Sequence, residues 1–236
     1  MTALAGIPTR LSVIDDEDDV VEGVQRRLGR KGYEVERIVP VNAATIEDVV
    51  EQIMQVSDAA FCDHHLRGGH HVDFSGAQIV AALTARNFPS VLFTGVLPEE
   101  RYVIRRNMPS IPAFLHRSDG LGPDQLLPAL AESIAEINSG VRPRRRRARR
   151  TPVTIVSSRL TGGMQLVAAL VSGWHGLEPI EIPADLLAEP WRTTPTDAVG
   201  YTFFAGVNIG EIDPDLLFFE DFESEPLNTD FYEGVG

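Results

Sequence analysis

The run Leu11-Ser12-Val13-Ile14-Asp15-Asp16-Glu17-Asp18-Asp19 decides how this chain is read. A short, mainly apolar segment stops abruptly at a block of acids. A strand running into an acid-rich helix start explains the break, because carboxylates favour helix N-termini. Val20, Val21, Val24 and Leu28 then recur at helical spacing, and Gly32 stands where such a helix ends.

The same rhythm continues outward. Residues 33–39 predict a second strand, and residues 43–56 a helix with the stripe Ile46, Val49, Val50, Ile53 and Met54. Ala59-Ala60-Phe61-Cys62 is a third strand ending at Asp63. A Gly/His-rich loop leads to a helix over 76–86, with Ile79, Val80 and Leu83 inward. Pro89-Ser90-Val91-Leu92-Phe93 is a fourth strand ending at Thr94-Gly95. Residues 98–107 suit a short helix with Pro98 in its first turn. Residues 111–115 are a fifth strand, and residues 123–137 a last helix with Leu126, Leu127, Leu130, Ile134 and Ile137 inward. Five apolar strands alternating with helices predict a flavodoxin-like (βα)5, doubly wound parallel sheet covered on both faces. Right-handed crossovers put functional loops at the carboxyl ends of the strands. Asp15-Asp16, Asp63, Thr94 and His116-Arg117 all stand there. Carboxylates gathered on adjacent strand ends repel unless a cation joins them, and oxygen ligands with water suit Mg2+.

These residues resemble the receiver domain of bacterial response regulators, the CheY-like family of two-component signalling. The resemblance covers about residues 9–139. It rests on Val13-Ile14-Asp15-Asp16-Glu17, Phe61-Cys62-Asp63, Phe74-Ser75-Gly76, Leu92-Phe93-Thr94-Gly95 and Phe114-Leu115-His116-Arg117, in the family's order. The resemblance implies that Asp63 is the phosphoacceptor. It implies that Asp15 and Asp16 hold Mg2+, with Asp63 and a backbone carbonyl near His65. The Thr94 hydroxyl would bond the phosphoryl group, and Phe114 matches the aromatic switch position. One position departs. The family has Lys followed by Pro where this chain has Arg117-Ser118. Arg keeps the charge but is longer and planar, and the two are not interchangeable at a crowded phosphate. A degenerate receiver used only for binding therefore stays open beside a phosphorylated one.

Composition narrows the class. The chain has 236 residues, 43% of them hydrophobic, with 21 basic against 34 acidic residues and a net charge of -13. So acidic a body argues against a protein that coats nucleic acid. A single cysteine, Cys62, excludes an intramolecular disulfide and a Cys-based zinc site, and beside Asp63 it reads as a buried structural thiol. No apolar run reaches the roughly 18 residues of a membrane span. No basic region followed by an apolar stretch opens the chain. The expectation is a soluble cytoplasmic protein.

The charge is uneven. Residues 142–150 read Arg-Pro-Arg-Arg-Arg-Arg-Ala-Arg-Arg and carry seven of the 21 basic residues, whereas no Lys or Arg follows Arg192. The block reads as an exposed linker. Two functional readings compete with that: nucleic-acid binding through counterion release, and pairing with this chain's or a neighbour's acidic tail. The expected division is a receiver at 1–140, an Arg-rich linker at 141–151 and a C-terminal output domain at 152–236. The residues from Asp63 to Asp73 hold four of the six histidines, His64, His65, His70 and His71. Their spacing matches no zinc motif, and a polar loop controlling access to Asp63 explains them as well.

The C-terminal part predicts a small mixed or mostly β domain. Strands fit residues 152–156, 201–209 and 216–222, an edge strand fits 178–183, and a short buried helix fits 163–172. Leu217, Phe218, Phe219 and Phe222 either bury one side of a terminal strand or form a docking motif. No P-loop, nucleophile and base pair, helix-turn-helix or cyclase motif is visible. The resulting expectation is a response-regulator-like signalling protein, not an enzyme beyond its own phosphoryl transfer and dephosphorylation. A histidine kinase or phosphotransfer protein would act upstream, and a protein partner of the C-terminal domain downstream, with homodimerisation open. The alternatives are a degenerate receiver or phosphate sink in a bacterial defence or stress system and, with less support, a DNA-binding regulator.

Overall fold

Alternation in the first strand, β1 (Arg10–Ile14), sets the architecture. Leu11 and Val13 enter one core with Val21, Val24 and Leu28 of α1 (Asp18–Gly29). Ser12 and Ile14 point to the opposite face, where the Ser57 hydroxyl donates to Ser12 Oγ at 3.0 Å. A strand buried on both faces belongs inside a parallel sheet. The computed structural model describes residues 6–40, 45–66, 73–95 and 101–227, and these divide into two compact units. One is Met1–Pro98 with Ser110–Val141, and the other is Glu99–Pro109 with Arg142–Gly236.

The first unit holds a parallel sheet in the order β2-β1-β3-β4-β5. Its strands are β1, β2 (Glu34–Ile38), β3 (Ala59–Asp63), β4 (Ser90–Thr94) and β5 (Phe114–His116). α1 and α5 (Pro123–Ser139) cover one face through Leu28, Leu126, Leu127 and Leu130 against Phe61 and Phe93. α2 (Ile46–Val56) and α3 (Gly76–Ala85) pack together, with Val50, Ile53, Ile79 and Leu83 buried. The Thr45 hydroxyl opens α2 with a capping box to Asp48. This is the expected flavodoxin-like order, whose winding reverses between β1 and β3. β5 is shorter than the 111–115 reading, because Pro112 has no N–H to give the ladder.

The second unit holds an antiparallel sheet in the order β10-β9-β6-β7-β8. Its central strand is β6 (Arg149–Thr161), flanked by β7 (Met164–Val171) and β9 (Thr202–Val207). β8 (Ile180–Pro183) is an edge strand, as its prolines require, and β10 (Phe219–Glu220) is the other edge. The helix expected over 163–172 is a strand instead. Gly162 and Gly163, both at positive φ, turn the chain so that Thr161 pairs with Met164 in a two-residue hairpin. The Gly-Gly pair carried the signal, and the apolar run after it belongs to the hairpin's second arm.

Three further expectations change. The Arg block is not a linker. Arg144–Arg146 form a 3-10 turn, and Arg149 opens β6. Arg142 pairs with Glu220 at 2.8 Å and Arg150 with Glu223 at 2.6 Å, so the block's partner is the chain's own acidic tail. Arg146 is buried and donates to the Met108 and Pro109 carbonyls, both at 3.2 Å. The aromatic tail is core: Leu217, Phe218 and Phe219 are buried, and Arg142 and Arg146 lie over the Phe218 ring at 5.2 and 5.6 Å. The docking reading of that segment falls with its burial. The segment holding α4 (Arg101–Asn107), expected in a domain over 1–140, clusters with the second unit. Arg105 is the reason: buried, it donates to the Leu217 carbonyl at 2.8 Å and the Pro214 carbonyl at 3.0 Å. Arg106 pairs with Asp185 at 2.7 Å and Arg101 with Asp215 at 3.1 Å.

Candidate functional site

The carboxyl ends of β1, β3 and β4 bring the predicted residues together. Asp15 follows β1 and is fully buried. Its Oδ1 accepts from the Glu17 N–H at 2.7 Å, a turn that starts α1. Asp63 ends β3, and its Oδ2 accepts from the His65 N–H at 3.0 Å. Thr94 ends β4. Asp63 Oδ1 and Thr94 Oγ1 are buried without a hydrogen-bond partner among the described residues. Native structures leave few such atoms, and here two of them stand on adjacent, paired strands.

Gly76 explains why β3 and α3 can meet so closely. Its N–H donates to the His64 carbonyl at 3.0 Å, and a Cβ there would lie 1.7 Å from the Asp63 carbonyl oxygen. The adjoining Ser75 and Gln78 close a capping box that starts α3. The Ser75-Gly76 pair therefore carries a packing role that pattern reading alone did not assign.

Arg117, in the 3-10 turn after β5, reaches into the acids. Its Nη2 donates to Asp15 Oδ2 at 2.8 Å and lies 3.3 Å from Asp63 Oδ2. Its Nη1 donates to Glu17 Oε1 at 2.5 Å. The guanidinium sits 5.7 Å from the Phe93 ring centroid. Glu17, in the acidic block after β1, thus holds this arginine from the outer side. Phe114 opens β5 half-buried, its ring edge-on to His116 at 4.9 Å. His70 and His71 lie outside the described residues. His64 and His65 stack edge to face at 5.3 Å beside Asp63.

Burial dominates the electrostatics. It pushes the Asp63 carboxyl up to about 7 and Asp15 to about 6, against the opposing pull of Arg117. Cys62 is buried and its thiol is driven well up by desolvation and by the Asp63 and Asp15 charges, which suits an inert structural thiol. Asp15, Asp16 and Asp63 each offer an oxygen, all within 4.8 Å of one another. Hard oxygen donors at that separation fit Mg2+ or Ca2+. Chemically, the site offers a carboxylate with one free oxygen, a free hydroxyl, a cation-binding group and a positive charge.

No family model matches the chain, and no curated protein matches it. Among solved structures it is similar to a response regulator receiver domain protein from Clostridium thermocellum, at 15% identity and TM-score 0.41, over 56% of this chain and 98% of that one. It is also similar to the beryllofluoride-activated NtrC4 receiver domain dimer, at 14% identity and TM-score 0.40, over 55% of this chain and 98% of that one. A third is a response regulator from Burkholderia pseudomallei with a phosphorylated aspartic acid, calcium ion and citrate, at 19% identity and TM-score 0.40, over 55% of this chain and 71% of that one. The likeness covers the N-terminal part and is one of fold, and the C-terminal part is unassigned.

Proposed function

We propose that the first unit, with its receiver fold, is a phosphoacceptor module of a response-regulator-like signalling protein. One observation carries this reading: Asp63 presents an unpartnered buried oxygen beside the unpartnered Thr94 hydroxyl and two further carboxylates. Asp63 is the nucleophile. As its Oδ1 bonds to the phosphorus of a phosphohistidine, the P–N bond breaks and the imidazole leaves with a proton from solvent. Thr94 donates its hydroxyl to a phosphoryl oxygen, and the Arg117 guanidinium supplies positive charge within reach. Asp15, Asp16, Asp63 and a carbonyl near His65 would hold Mg2+, which would supply positive charge against the phosphoryl oxygens. The protein has no other enzymatic activity in this reading. A histidine kinase or phosphotransfer protein supplies the phosphoryl group in the cytoplasm. The second unit carries the output by protein–protein contact. Among the described residues no helix is long and apolar enough to cross a membrane.

The placement of Arg117 on Asp15 favours a second reading, a degenerate receiver that binds partners without phosphorylation. Intact mass after incubation with Mg2+ and acetyl phosphate or phosphoramidate separates the two. The phosphoacceptor reading expects a gain of one phosphoryl group that Asp63→Ala abolishes. No gain from small donors or from a kinase, with partner capture intact, selects the degenerate module.

A further inference from the structure

Arg117 takes the position of a cation. One guanidinium spans Asp15, Asp63 and Glu17, at 2.8, 3.3 and 2.5 Å. Two of these carboxylates are buried, and both belong to the group that fits a divalent ion. Their oxygens nearest Arg117 are Asp15 Oδ2 and Asp63 Oδ2. Arg forms planar forks that a Lys ammonium cannot reproduce. Glu17 is more open, its side chain 58% exposed, and it anchors the outer Nη1 while Nη2 reaches inward.

We infer that Arg117 is a tethered counter-ion that competes with the divalent cation for Asp15 and Asp63, with Glu17 as the outer anchor that holds the guanidinium in place. This inference rests on the metal-binding part of the reading above. It makes Arg117 a positioning residue that sets metal affinity. The guanidinium and a divalent ion draw on the same two carboxylates, so each weakens the other's hold.

The discriminating experiment is calorimetric titration of the full chain with Mg2+ alone, with no phosphoryl donor. It compares the parent protein with Arg117→Lys and Arg117→Ala, each first shown to be folded by circular dichroism. Arg117→Lys keeps the charge but breaks the three-carboxylate fork. Competition expects it to tighten Mg2+ binding by about tenfold, the loss of one charged hydrogen-bond set. Arg117→Ala tightens binding further. If only Arg117→Ala tightens binding, a diffuse positive field is at work and the inference is overturned while the phosphoacceptor reading stands. If no variant binds Mg2+, both fall.

Discussion

In the first unit, three carboxylates converge on one guanidinium at the ends of two parallel strands and the start of a helix. In the second, arginines and carboxylates pair off singly: Arg142 with Glu220, Arg150 with Glu223, Arg159 with Glu181 and Arg106 with Asp185. Sheet geometry makes the difference. Parallel strands with helical crossovers send every carboxyl end to the same side, so charges accumulate there. Antiparallel neighbours run in opposite senses, so strand ends fall on both sides of the sheet and charges do not accumulate on one. Concentrated, desolvated charge leaves atoms unsatisfied and available for chemistry. Dispersed pairs satisfy themselves and add little beyond structure.

The sharpest way to break the first unit is at Gly76. A Cβ there meets the Asp63 carbonyl at 1.7 Å, a backbone atom that cannot move without shifting β3. Gly76→Ala is expected to cost roughly 3 kcal/mol or more, or to prevent folding, as read by urea unfolding. A loss below about 1 kcal/mol, an ordinary effect for a point substitution, would show that β3 and α3 separate easily.

The counterpart in the second unit is Arg105. Arg105→Ala strands the Leu217 and Pro214 carbonyls and is expected to cost about 2–3 kcal/mol. Both tryptophans, Trp174 and Trp191, lie in this unit, so intrinsic fluorescence in urea reports it. An unchanged midpoint would mean that α4 contributes nothing to this unit's stability.

A pH series sharpens the comparison further. Asp63 and Asp15 have folded values raised above the ordinary 3.8, to about 7 and about 6. Between those limits the folded state binds more protons than the unfolded one. Their stabilising contribution is therefore full below about pH 3.8 and is lost as pH rises through 6 to 7 in metal-free protein. Mg2+ competes with those protons, so its affinity is expected to weaken as pH falls from 8 to 5.5 in calorimetric titration. A pH-independent affinity would remove Asp63 and Asp15 from the ligand set.

The smallest effect is expected from Arg150 and Glu223, an exposed pair at the surface of the second unit. A double-mutant cycle on this pair is expected to give a coupling that vanishes in high salt. A salt-resistant coupling would show that even the dispersed pairs act as a network.

Legibility followed the range of the interactions. Four of the five parallel strands were readable because each is a short, mainly apolar run closed by a polar residue, as in Phe61-Cys62-Asp63 and Phe93-Thr94, whereas β2 alternates charged and apolar residues. The placement of Asp15, Asp16, Asp63, Thr94 and Arg117 at the strand ends was readable for the same reason, because these residues close or follow those runs. Residues 163–172 were misread because a β arm such as Leu166-Val167-Ala168-Ala169-Leu170 has no period that separates it from a buried helix. The Arg block was misread because Arg142, Arg146 and Arg150 find partners in Glu220, Met108, Pro109 and Glu223, all distant in sequence.

By itself, then, the sequence determined the strand and helix alternation of the first unit and which acids and hydroxyls close its strands. Hydrophobic period and chain direction are local properties, and local pattern suffices to state them. Only the tertiary structure decided that Arg117 lies on Asp15, Glu17 and Asp63, that Gly76 must lack a side chain, and that α4 is held by Pro214 and Leu217. Those outcomes turn on ångström-scale distances between segments far apart in the chain, and burial sets their strength.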